Sequence, residues 1–131
     1  AAASGEADVR HLSELEAGYE EKLNALATNL YGADGVEFSP EAKAEAARLE
    51  SSGFGNLPVC VAKTQYSLSH DAKLKGRPTG FSFPVRDLRL AAGAGFVIAY
   101  AGNIMTMPGL GRTPGYKNVD LDSEGRIVGL F

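Results

Sequence analysis

The feature that most constrains the fold is a strand, helix and strand pattern in the first half of the chain. Val36-Glu37-Phe38 is a short strand-like segment, and Ser39-Pro40-Glu41 then supplies an N-cap residue, a first-turn proline and a first-turn acid. The alanine-rich stretch that follows predicts a helix that packs closely on a sheet before Gly53 ends it. Val59 to Ala62 has the composition of the next strand. This alternation predicts an α/β fold.

An amphipathic helix is predicted ahead of this unit. Ser13 and Glu16 have the spacing of a capping box, and Gly32 is a natural stop. The helix is indicated by apolar residues that recur at spacings of three and four, namely Leu12, Leu15, Tyr19, Leu23, Leu26 and Leu30.

The second half of the chain reads as strands. Residues 81–85 alternate as a half-buried strand should, and a shift of phase before Leu88 predicts a bulge near Asp87. Residues 96–101 predict a central strand, and residues 118–131 predict a terminal hairpin. The expected architecture is a small mixed sheet with flanking helices and a C-terminal hairpin, formed by residues 1–131 as a single domain.

Composition excludes several classes of function. The chain has 131 residues and a net charge of −3, so it lacks the broad positive field that nucleic acid or an acidic membrane surface would require. Its longest apolar run, residues 91–101, is interrupted by glycines and is too short to cross a bilayer. No initiator methionine is present, and we interpret the chain as a piece cut from something longer.

Cys60 is the single cysteine, and it lies within an apolar run. A buried and inert thiol is therefore predicted, which fits the reducing cytosol or a similar organelle interior. We expect no Cys60 nucleophile, because its neighbours offer nothing to stabilise a thiolate.

Familiar catalytic and metal motifs are not supported by the residues. Lys63-Thr64 follows an alanine in a strand-like run and cannot be the tip of a P-loop. Residues 93–95 precede a strand, so they predict a turn and not a dinucleotide-binding loop. His70 and Asp71 are adjacent in a loop, point apart and predict a solvated pair. We expect no metal site, since residues 120–124 fit the solvated face of a hairpin better than a calcium loop.

Two loops have the character of a binding site. Residues 63–80 form an eighteen-residue connection, which is long for an idle loop in a compact domain. Residues 102–112 combine glycines, two methionines and a proline directly after a strong strand, a position where sites are often assembled. Core packing of the methionines at a chain crossing explains the second loop equally well.

These stretches resemble the C-terminal end of formate–tetrahydrofolate ligase, from about Leu30 onward. The resemblance is carried in order by several long motifs, and the pattern departs at Gly111-Arg112-Thr113-Pro114, where a proline is expected directly after Leu110. The motifs are Tyr31-Gly32-Ala33-Asp34-Gly35-Val36, Gly53-Phe54-Gly55-Asn56-Leu57-Pro58-Val59-Cys60, Ala62-Lys63-Thr64-Gln65-Tyr66-Ser67-Leu68-Ser69, Val85-Arg86-Asp87, Gly93-Ala94-Gly95-Phe96, Met105-Thr106-Met107-Pro108-Gly109-Leu110 and Gly129-Leu130-Phe131.

The resemblance implies an enzyme that joins formate to tetrahydrofolate at the expense of ATP and Mg²⁺, through formyl phosphate. It implies residues 1–30 as a helical lead-in and residues 31–131 as the α/β core of a C-terminal domain. Because this chain lacks the P-loop, we expect the isolated domain to be inactive alone. It also implies upstream ligase domains as partners, in the same or another chain, and a cytoplasmic homo-oligomer, with an organellar matrix as the alternative compartment.

No catalytic residue is expected in this chain on that basis; its implied role is to border the nucleotide. The residues that the resemblance assigns to nucleotide binding are Arg77, Pro78, Thr79, Gly80, Lys63, Thr64 and Gln65. The alternative is a non-catalytic binding or assembly domain that kept the fold.

Overall fold

The computed structural model describes residues 12–104 and 112–129. Helix α1 spans Tyr19–Leu26 and runs on into a π-helical turn at Ala27–Tyr31. Gly32 ends it in the left-handed conformation with φ 77°, as the sequence predicted. None of the helices in the described part of the chain is long and apolar enough to cross a membrane.

The predicted start of α1 is wrong. Residues 12–18 form turns and bends, Gly18 is the N-cap, and no side chain of the capping-box pair caps the helix. The free backbone N–H of Tyr19 instead donates to Oε1 of Glu50 at 2.9 Å. Leu12 and Leu30, at the two ends of the predicted stripe, are largely exposed. The helix is shorter than its periodicity indicated because its cap comes from elsewhere in the chain.

The strand and helix that follow confirm the sequence prediction. Strand β1 spans Gly35–Phe38, and helix α2 spans Pro40–Leu49. The Ser39 hydroxyl accepts the backbone N–H of Ala42 at 3.0 Å and caps α2. A π-helical turn at Glu50–Phe54 then ends at a left-handed Gly53 with φ 86°. Local signals are sufficient here because the cap and the helix are contiguous.

Four strands form a mixed sheet in the order β1-β3-β4-β2, which confirms the predicted α/β class. Strand β2 spans Val59–Ala62, β3 spans Ser82–Ala91 and β4 spans Phe96–Ala101. The two long strands pair antiparallel, while β1 is parallel to β3 and β2 is parallel to β4. The edges of the sheet are therefore β1 and β2.

The remaining predictions for the second half hold in outline. The β3–β4 ladder shifts register between Val85 and Asp87, which is the predicted bulge. Residues 92–95 form the tight turn between these strands. A small hairpin pairs β5, Asp120–Leu121, with β6, Ile127–Val128, and its strands are shorter than expected.

One face of the sheet packs with both helices into a single apolar core. Register places the sheet members of this core on the same face, since side chains alternate along each strand. The fully buried side chains of the helices and of this inner face are Tyr19, Leu23, Ala27, Ala42, Leu49, Phe83, Val85, Leu88, Val97, Ala99 and Ala101. The core therefore lies on one side of the sheet.

The outer face is defined by the row Arg89, Ile98 and Cys60, which pair across three strands, together with Phe96 and Tyr100. Among the described residues, none of this face belongs to the buried core. Cys60 is exposed, so the predicted buried thiol is wrong. Its neighbours Val59 and Val61 point to the opposite face, because side chains alternate along a strand. Cys60 also lies on an edge strand, so no further strand of the described residues covers it on that side.

Candidate functional site

A cavity opens where the parallel strands β2 and β4 end. It measures about 670 Å³, a size within the range of small-molecule sites. Ligand sites in open α/β sheets are usually found outside the carboxyl ends of strands, which is where this cavity lies. Its wall is formed by Lys63, Thr64, Gln65, His70, Asp71, Ala72, Pro84, Arg86, Gly102, Asn103 and Ile104.

A second cavity of about 400 Å³ adjoins the first over the outer face. Asp87, Arg89 and Tyr100 line this second cavity and not the first. The shared wall consists of Arg86 and the segment Gly102, Asn103 and Ile104. A ligand that filled both cavities would therefore pass Arg86.

Lys63 supports the long loop from inside. Its Nζ donates to the carbonyl of Thr64 at 3.0 Å and to the carbonyl of Ser67. The same Nζ lies 5.3 Å from the centroid of the Tyr31 ring, and Tyr31 stacks on Phe83 with 5.3 Å between ring centroids. Burial lowers the pKa of Lys63 from its ordinary value. Much of its hydrogen-bonding capacity thus holds the loop in place.

Two serines organise the next part of the loop. Ser69 is fully buried, and its hydroxyl lies 3.0 Å from that of Ser67. The Ser69 Oγ also accepts the backbone N–H of Asp71 at 3.0 Å. Leu68 donates its N–H to the carbonyl of Gly76 at 2.9 Å and closes the loop on itself. The eighteen-residue connection is consequently an ordered wall, built from side-chain-to-backbone bonds.

His70 is not the solvated residue that the sequence predicted. Its ring packs near Phe81 with 6.1 Å between centroids, and its Nδ1 is buried without a partner among the described residues. Asp71 accepts the N–H of Lys73 at 2.8 Å and does not bond the histidine ring. His70 instead contributes its backbone to the contact with Gly102.

Only some of the residues that the resemblance assigned to nucleotide binding line the larger cavity. Lys63, Thr64 and Gln65 line the larger cavity. Arg77 lies beside the end of the turn after α1, where a Cβ on Gly32 would come within 3.2 Å of its guanidinium. The rest of that group, Pro78, Thr79 and Gly80, does not line the cavity either.

Sequence reasoning missed Arg86 and Ser69 as site residues. The phase shift near Asp87 was the available signal for Arg86, because a bulge redirects the extra residue. The predicted loop at residues 102–112 reaches the cavity through its first three residues. Its positions 105–111 lie outside the described residues. Across residues 12–104 and 112–129, no three His, Cys, Asp or Glu side chains are grouped as a metal site would need.

These features define the chain as an α/β domain with an ordered loop and a polar cleft at the ends of its parallel strands. The whole chain, residues 1–131, matches the family model described as formate–tetrahydrofolate ligase. The chain therefore belongs to the formate–tetrahydrofolate ligase family.

Individual relatives agree with this assignment. The chain is 53% identical over 127 residues to the formate–tetrahydrofolate ligase of Chloroflexus aurantiacus, covering 97% of this chain and 22% of the relative. It is 53% identical over 116 residues to that of Roseiflexus castenholzii, covering 88% of this chain and 21% of the relative. It is 49% identical over 131 residues to that of Cutibacterium acnes, covering 100% of this chain and 23% of the relative. The chain spans between a fifth and a quarter of the length of these relatives.

Proposed function

We propose that this chain is the C-terminal domain of an ATP-dependent ligase that joins formate to tetrahydrofolate and yields 10-formyltetrahydrofolate through formyl phosphate. Its part in that reaction is to form the nucleotide side of the site. The observation that carries this role is the cavity at the ends of β2 and β4, which Lys63, Thr64 and Gln65 line. Family membership supports the reaction, and the cavity supports the role.

The cavity fits a nucleoside better than a magnesium-bound triphosphate. Thr64, Gln65 and Asn103 supply hydroxyl and amide groups that can orient a base or a ribose. Asp71 is the single carboxylate in the described wall, and its Oδ1 already accepts a backbone N–H. Magnesium is normally held by one or two carboxylates together with substrate phosphates. We therefore assign Mg²⁺ to upstream ligase domains.

The experiment uses the longer ligase polypeptide that contains this chain. Gln65→Ala and Thr64→Val are expected to raise the KM for ATP severalfold, with little change in the KM for formate. Arg77→Ala serves as the comparison, because Arg77 lies beside Gly32 and outside the cavity wall. A raised KM for ATP in Arg77→Ala alone would move the nucleotide to residues 77–80. Absence of formylated product from the unaltered polypeptide would refute the reaction itself.

A second role, assembly, is favoured by the open outer face. Phe96, Ile98 and Tyr100 lie half-buried on this face, and none of them joins the core of the described residues. Upstream domains of the ligase, or a second copy in a homo-oligomer, would remove this surface from water. Alkylation of Cys60 tests the idea in the longer polypeptide, with the modified peptide identified by mass spectrometry. Protection of Cys60 supports burial of this face, and rapid alkylation contradicts it.

A further inference from the structure

The bulge in β3 places one arginine between the two cavities. Val85 pairs with Ala101 and Asp87 with Tyr100, which leaves Arg86 as the extra residue of the bulge. A bulge bends the strand and redirects its side chain. Arg86 accordingly lines both cavities, and no other charged side chain of their described walls does so.

The backbone of the bulge is held by the N-cap of α2. The Ser39 hydroxyl donates to the carbonyl of Arg86 at 2.9 Å, and the Ser39 N–H donates to the carbonyl of Val85 at 2.9 Å. The same hydroxyl accepts the N–H of Ala42. The backbone at Arg86 is thus held by the N-terminus of α2 as well as by the pairing of β3.

The charge of Arg86 is not neutralised within the described part of the chain. Arg89 pairs with Asp87 at 3.0 Å and Arg48 pairs with Glu45 at 2.5 Å, whereas no described carboxylate forms an ion pair with Arg86. Its Nη1 donates to the amide oxygen of Asn103, which is a neutral acceptor. A guanidinium has five N–H donors, so most of them remain available to a ligand.

We infer that Arg86 binds an anionic oxygen group, a phosphate or a carboxylate, of a substrate that lies across the two cavities. A guanidinium matches either group through two parallel N–H···O bonds, and Asn103 orients the fork from one side. The identity of the substrate rests on the proposed function, which offers the phosphates of ATP, the carboxylate of formate and the carboxylates of tetrahydrofolate. That the bound group is an anion rests on the position of Arg86 in both cavities and on its lack of a described carboxylate partner.

The test compares Arg86→Gln and Arg86→Lys in the longer ligase polypeptide, with Arg48→Gln as a control of equal charge change outside both cavity walls. Arg86→Gln is expected to raise the KM of one anionic substrate about tenfold or more, and Arg86→Lys is expected to raise it less. Arg48→Gln should change it less than threefold, because that charge is already paired with Glu45 and lines neither cavity. The substrate whose KM rises identifies the source of the anion.

Two results would overturn the inference. One is an unchanged KM for ATP, formate and tetrahydrofolate in a folded Arg86→Gln protein. The other is an equal rise in Arg86→Gln and Arg48→Gln, which would indicate a general effect of net charge and not a site at Arg86. If the unaltered polypeptide makes no formylated product, the proposed function fails separately. Pyrophosphate and citrate binding by calorimetry then tests Arg86 directly, and equal affinities in the unaltered protein and Arg86→Gln contradict it.

Discussion

The carboxylate of Glu50 accepts the backbone N–H of Tyr19 at 2.9 Å, so the residue that ends α2 caps the start of α1. A helix leaves its first N–H groups without partners, and Gly18 has no side chain to satisfy one. Gly18 also leaves room for the acid, because a Cβ there would lie 3.3 Å from the same Oε1. Two helices that are distant in the chain are joined by this bond.

Removal of this cap is expected to lower the free energy of unfolding. Glu50→Ala should cost about 1 kcal/mol, the usual loss for an N-cap acceptor. Glu45→Gln is a matched control, since it breaks only an exposed pair with Arg48 and should cost about 0.5 kcal/mol or less. Urea denaturation of the two variants measures both values. Equal losses would contradict a capping role for Glu50.

Lys22 is expected to be the charged residue most sensitive to substitution. It is 3% exposed, and its Nζ donates to the carbonyls of Gly55 and Leu57 at 2.6 and 3.0 Å. Lys22→Met leaves both carbonyls without this donor and should lower the free energy of unfolding by about 2 kcal/mol. Lys43→Met is the control, because Lys43 forms only an exposed pair with Glu20 at 3.5 Å. Urea denaturation that gives equal losses for the two variants would contradict the prediction.

The same lysine predicts a pH dependence. Burial lowers the pKa of Lys22 below its ordinary value of 10.5, against the opposing charges of Glu50 and Glu16. The unfolded chain therefore binds more protons in the alkaline window below 10.5, and stability attributable to Lys22 rises with pH there. The difference in unfolding free energy between the unaltered chain and Lys22→Met, measured across that window, should increase with pH. A flat difference would show that Lys22 titrates alike in both states.

Gly102 is expected to resist substitution more than Gly95, which is also left-handed. Its φ is 77°, and a Cβ would meet the carbonyl oxygen of His70 at 3.1 Å. Gly95 has a similar φ of 73° and open space around it. Both alanine variants incur about 1 kcal/mol of left-handed strain, and Gly102→Ala adds a clash of about 1 kcal/mol more. Thermal unfolding that ranks the two variants equally would contradict a tight contact at His70.

Cys60 is expected to react in the native chain. It lies on the edge strand β2 and on the outer face, where it is exposed. A colourless disulfide reagent should modify it without denaturant. In a Cys60→Ser background, Ala99→Cys places the thiol on the buried inner face and should react only on unfolding. Slow reaction of both thiols would mean that the outer face is covered.

Local signals account for the elements that sequence reasoning predicted. Ser39, Pro40 and the segment after them are sufficient to predict the start of α2. The bulge near Asp87 is visible as a change in the phase of the apolar residues along β3. The start of α1 could not be predicted, because its cap comes from Glu50, 31 positions away from Tyr19. Exposure of Cys60 was hidden for a similar reason, since strand order and not composition makes β2 an edge.

The candidate site was predictable in part. The length of the loop at residues 63–80 indicated a wall of a site, and three of its residues line the larger cavity. The position of Arg77 beside Gly32 depends on how the loop folds back through Ser67 and Ser69, which no spacing in the sequence reveals. Arg86 was likewise hidden until the register of β3 on β4 showed which residue is extra.

The strand order β1-β3-β4-β2 also has a consequence for the route by which the chain folds. In this sheet, β3 and β4 are the one neighbouring pair that is also consecutive along the chain. A tight turn joins them, so their contact closes a short loop, whereas β1 and β2 must each return across long intervening segments. We expect the β3–β4 hairpin to form early and to serve as the template on which both edge strands assemble.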